Sequence, residues 1–132
     1  LLEENDLLIT SDTIVWHESK ALGKPKDAQE AFEMLQSLSG KTHEVVTSVC
    51  FKTKNTLETI TEITKVTFNL LSDEAIRYYI ATYKPFDKAG AYGIQEWIGL
   101  VGISKIEGSY TNVVGLPVEK VFKKLKYYAE IN

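Results

Sequence analysis

A chain of 132 residues, 44% hydrophobic and 25% charged, is long enough to enclose one core and has the balance of an ordinary globular domain. Its net charge of −3 gives no general attraction to nucleic acid or to an anionic membrane, so any anion site must be local. No apolar stretch is long enough to span a bilayer, and a single cysteine, Cys50, excludes an internal disulfide and points to a reducing compartment, with the cytoplasm as the expected location.

The opening Leu1-Leu2-Glu3-Glu4-Asn5-Asp6 reads as the tail of a helix running into a strand, and an N-terminal part of the natural protein is expected to precede it. Leu7-Leu8-Ile9-Thr10 then reads as a buried strand that Ile14-Val15-Trp16 resumes, so Ser11-Asp12-Thr13 sits within it or at its end. An aspartate there is either paired or metal-bound, or it bonds its own backbone in a turn; local sequence leaves both readings open. His17-Glu18-Ser19-Lys20 reads as a hairpin tip with a solvated His17–Glu18 pair.

Pro25 pushes Lys24 toward an extended backbone just before a helix. Asp27 is the expected N-cap, with Glu30 completing a capping box, and Ala28, Ala31, Phe32, Leu35 and Leu38 fall on one helical face before Gly40 stops it. Near such a helix start a lysine either holds a phosphate with the helix amides or is simply solvated. His43 stands at the entry of the apolar run Val45 to Phe51, where a structural role is expected, and Cys50 within that run is read as buried and inert. Val66, Phe68 and Leu70 alternate with Lys65, Thr67 and Asn69, which predicts a half-exposed strand from Thr59 to Leu70, antiparallel to its predecessor across a hairpin.

Ser72 caps a second helix whose buried face is Ile76, Tyr79, Ile80 and Tyr83. Asp87 to Gln95 follows, with two glycines and two alanines around Tyr92; it reads either as a packing turn or as a place where backbone approaches a ligand and the Gln95 amide reads it. Gly99 to Ile106 is predicted as a strand and Gly108 to Pro117 as a glycine-marked connection. Pro117 opens a last helix with Val118, Val121, Phe122 and Leu125 as its apolar face. The expected fold is one α/β domain over residues 1–132, with four or five strands of mixed, partly antiparallel direction flanked by three helices.

Asp12, Thr13, Lys24, Lys88 and Gln95 lie after a strand, before a helix and in a glycine turn, where α/β folds put ligands. A carboxylate holds a divalent metal or deprotonates water, lysines offset phosphate charge, and a hydroxyl and an amide read a base. That set suits attack of water on a phosphoanhydride. There is no Walker loop, no paired Cys or His metal motif and no nucleophile elbow.

Ser11-Asp12-Thr13, Gly23-Lys24-Pro25, Leu38 to His43, Lys88 to Gln95 and the run from Gly108 to Pro117 resemble, in that order, the motifs of the Maf proteins. This family is known as nucleoside triphosphate pyrophosphatases, is also linked to septum formation, and has a Maf/inosine triphosphatase-like fold. The Ala91-Tyr92-Gly93-Ile94-Gln95 form is similar to the branch acting on dTTP and UTP. The resemblance implies that Asp12 is the proton acceptor and metal ligand, with magnesium or manganese as cofactor. It implies that Thr13 and Gln95 set base specificity, that Lys24 and Lys88 contact phosphate, and that the protein is a homodimer. It also implies an N-terminal phosphate loop, which this chain lacks. The alternative is a nucleotide-binding regulator of cell division without turnover.

Overall fold

The structure, a computed structural model, describes residues 1–130. Strand β1 (Leu8–His17) runs unbroken through Ser11-Asp12-Thr13, and Glu18 and Ser19, both at positive φ, turn it back into the short β2 (Lys20–Leu22). Two successive left-handed residues match the twist of a tight hairpin. Helix α1 (Ala28–Leu38) starts at Asp27, whose carboxylate accepts from the Glu30 amide at 2.8 Å; Glu30 reaches back to the Lys26 amide rather than to that of Asp27. β3 (Thr42–Lys52) and β4 (Leu57–Phe68) form the long hairpin expected from their alternation, and α2 (Asp73–Tyr83) begins at Ser72 as its sequence requires. α3 (Trp97–Gly102), β5 (Ile103–Glu107), α4 (Tyr110–Val114) and α5 (Val118–Glu130) complete the chain.

The five strands form one sheet in the order β2-β1-β3-β4-β5, and every pairing among them is antiparallel. Register alternation sorts their side chains onto two faces. Val15, Val45, Val49, Phe51, Val66 and Phe68 all lie on one face and are buried there. Both apolar clusters draw on that face alone: α1 and α2 close the first over Val15 and Phe68, and α5 closes the second over Val49 and Phe51. The opposite face, with Asp12, Ile14, Trp16, Ser48, Cys50 and Ile63, carries no buried side chain.

Several expectations give way. Leu1 to Asp6 forms a turn closed by an Asp6 amide to Glu3 carbonyl bond, not the tail of a helix. His17 pairs with Glu18 at 3.0 Å as expected, but the histidine is buried rather than solvated, its Nε2 also lying 2.9 Å from the Ser37 carbonyl, because its odd position on β1 faces the core. Cys50 is only half-buried, on the uncovered face. The stretch predicted as a strand from Gly99 to Ile106 is helical to Gly102; a Cβ at Gly99 would lie 1.9 Å from the Ile94 carbonyl oxygen, so the glycine permits a tight helical turn there. The Gly108–Pro117 connection contains α4, capped by the Ser109 hydroxyl on the Asn112 amide. On α5 the buried residues are Val121 and Tyr128, whereas Val118, Phe122 and Leu125 are exposed.

Candidate active site

A cleft of about 280 Å³ opens on the covered side of the sheet. Its walls are Thr13 and Val15 of β1, Val45 of β3, Lys24 before α1, the turn from Asp87 to Gln95, and Val113 to Gly115 at the end of α4. Thr13, Lys24, Lys88 and Gln95 are thus brought together. Asp12 is not: one residue from Thr13 on a regular strand, it points to the other face. Among the described residues, however, no strand pairs with Leu8 to Ile14 on the side away from β3, so Asp12 lies on an open edge.

The glycine turn is held from three sides. Gly90 donates its amide to the Gly23 carbonyl at 3.1 Å, tying the turn to the segment that carries Lys24. Gly90 and Ala91 follow one another at φ of 73° and 65°, and a Cβ on Gly90 would sit 3.0 Å from a Val15 methyl. Only glycine meets both demands without strain. Tyr92 Oη lies 2.7 Å from His43 Nε2 beneath the cleft, and the Tyr79 hydroxyl accepts from the Gly93 amide at 3.0 Å while donating to Glu96. Burial first, and the Glu96 carboxylate next, push the Tyr79 phenol well above its ordinary range, so it stays a donor. Burial, then the nearby His17, holds His43 down to about 4, so its imidazole is neutral near neutrality, as a structural histidine should be.

The polar groups facing the cleft divide by charge. Gln95 is exposed and has no hydrogen-bonding partner among the described residues. Lys88 pairs with Asp87 at 3.3 Å, and this bond chiefly, with the more distant Lys24 adding least, holds the Asp87 carboxyl below the usual carboxylate range. Thr13 Oγ1 lies 2.9 Å from Thr47 Oγ1, which lies 3.2 Å from the backbone carbonyl of Asn112. Sequence reading missed Asp87, Thr47 and Asn112. The available signal was Thr47, a polar residue in phase with the buried apolar positions of β3.

No group of three or more His, Cys, Asp or Glu able to hold a metal exists among the described residues. Asp12 offers oxygen donors of the kind a hard cation takes, with no protein-built cage around it among the described residues.

A glycine turn, two lysines and two neutral hydrogen-bonding groups thus surround one cleft of an α/β domain, the kind of place in which such folds hold small molecules. The chain belongs to the Maf-like protein family, whose pattern matches residues 1–128. It is 70% identical over 121 residues to a dTTP/UTP pyrophosphatase of Flavobacterium psychrophilum, covering 92% of this chain and 62% of that protein. To a dTTP/UTP pyrophosphatase of Flavobacterium johnsoniae it is 63% identical over 124 residues, 94% of this chain and 64% of the relative. To one of Porphyromonas gingivalis it is 48% identical over 132 residues, all of this chain and 66% of the relative. The chain therefore spans a little under two thirds of the length of these relatives.

Proposed function

We propose that this chain is the nucleotide-recognising part of a pyrophosphatase that converts dTTP and UTP to the monophosphate and pyrophosphate. The observation that carries the reading is the convergence of Thr13, Lys24, Lys88 and Gln95, from three separate parts of the chain, on one cleft. The relatives, which are dTTP/UTP pyrophosphatases, point the same way.

In this reading the Thr13 hydroxyl and the Gln95 amide meet the base. Lys24 and Lys88 offset the charge of the triphosphate, Lys88 exchanging Asp87 for a phosphate oxygen as the substrate enters. Asp12 takes the proton of the attacking water; the water oxygen bonds to the α-phosphorus, the bond from that phosphorus to the bridging oxygen breaks, and pyrophosphate leaves. Asp12 reaches the substrate across the open edge of β1. Asp12 would hold a magnesium or manganese ion, which would supply positive charge against the phosphate oxygens. A homodimer and a cytoplasmic location belong to the same reading.

The test is pyrophosphate release from a panel of canonical and modified triphosphates, with magnesium or manganese, in the whole natural protein. Preference for dTTP and UTP is expected. Binding without release from any triphosphate would sink the reading. It would favour instead a nucleotide-binding regulator of septum formation, which the placing of Asp12 away from the cleft supports; in that case Asp12→Asn leaves the cellular effect intact.

A further inference from the structure

Thr13 is half-buried on the cleft wall, and its hydroxyl has one proton to give. Behind it Thr47 is fully buried, with its oxygen between Thr13 Oγ1 at 2.9 Å and the Asn112 carbonyl at 3.2 Å. A carbonyl only accepts. If Thr47 gave its proton to Thr13, its lone pairs would face that carbonyl oxygen in a fully buried position, which is unfavourable. The arrangement that gives both hydroxyl protons an acceptor has Thr47 donating to the Asn112 carbonyl and Thr13 donating to Thr47. The carbonyl is fixed because the buried Asn112 Nδ2 shares its two N–H donors among Val45 O and Glu62 O, each at 3.2 Å, and Thr64 Oγ1 at 2.9 Å.

We propose that Thr47 and the Asn112 carbonyl lock the Thr13 hydroxyl with its proton turned inward, so that Thr13 shows the cleft only acceptor lone pairs and selects bases that carry an imide N–H. Uracil and thymine carry that N–H at N3. Cytosine has an unprotonated ring nitrogen there, which meets Thr13 lone pair to lone pair. Thr47 is a positioning residue: it touches no substrate and acts through Thr13. This inference rests on the nucleotide reading of the cleft and adds what the cleft reads.

The experiment compares kcat/KM for pyrophosphate release from UTP, CTP and 3-methyl-UTP, whose N3 bears a methyl in place of hydrogen, in the whole natural protein. The natural protein is expected to reject CTP and 3-methyl-UTP by about a hundredfold, the scale of leaving one hydrogen-bonding group unpaired in a desolvated site. Thr47→Val frees the Thr13 proton to turn outward, so the UTP-to-CTP ratio is expected to fall about tenfold while Thr47→Ser keeps it. An equal loss of rate on both nucleotides in Thr47→Val, with Thr47→Ser unchanged, would make Thr47 merely structural and overturn the proposal. Equal use of UTP and 3-methyl-UTP by the natural protein overturns it without any variant, and leaves the pyrophosphatase reading standing. Failure to cleave or bind any triphosphate overturns both.

Discussion

Single side chains settle what this cleft can tell apart. Gln95 has no hydrogen-bonding partner among the described residues, so in the proposed reading changing its chemistry changes the ligand's partner and little else. Gln95→Glu replaces a donor-and-acceptor amide with an acceptor, and is expected to alter the order of preference among UTP, dTTP and CTP more than it slows the best remaining substrate. A uniform loss across the panel would return the turn to a packing role. His43 gives a second prediction at this scale. Its imidazole takes a proton at about 4 in the folded chain and near 6.5 when unfolded. Between those values the unfolded state binds more protons, so stability is full above pH 6.5 and falls as the pH drops toward 4, by on the order of 3 kcal/mol at most. Urea midpoints measured across that window are expected to decline in the natural chain and to decline less in His43→Gln.

Elements set the walls. Helix α4 has five residues, too few to persist alone, and its attachment to the sheet runs through Asn112. Asn112→Ala leaves Val45 O, Glu62 O and Thr64 Oγ1 without that donor in a buried site. It is expected to lower unfolding free energy by about 2 to 3 kcal/mol and to loosen Val113 to Gly115 on the cleft wall. Chemical denaturation measures the first effect, and faster amide exchange at Gly115, whose N–H bonds to Thr111 and Asn112, measures the second. The predicted helices at α1 and α2 were legible because their caps, Asp27 and Ser72, and their apolar faces are local properties. α3 and α4 were not, since each is a single turn held by contacts distant in sequence: Gly102 against Leu71 and Phe68, Asn112 against β3 and β4.

On the scale of the whole molecule, the sheet separates two things that the motif Ser11-Asp12-Thr13 puts side by side. Thr13 faces the cleft under the helices, and Asp12 faces the side that no helix covers among the described residues. Recognition and proton transfer are therefore expected to come apart on mutation. Asp12→Asn should bind UTP within about twofold of the natural protein, while pyrophosphate release falls at least about a hundredfold. Parallel loss of binding and turnover would place Asp12 among the recognition groups instead.

Sequence alone determined the strand alternation, the two capped helices, the acidic balance and the set of residues worth watching, because periodicity, capping and charge are carried by near neighbours. It also carried Thr13, Lys24, Lys88 and Gln95 as candidates. Only the tertiary structure decided that these four share a cleft and that Asp12 stands apart from it. Only it decided that α5 buries Val121 and Tyr128 in place of Phe122, and that Thr47 and Asn112 stand behind Thr13. The reason is physical: which face of a strand or helix is covered, and where a hydroxyl sends its proton, depends on partners brought there by strand register and helix docking, and no stretch of sequence contains both halves of such a pair.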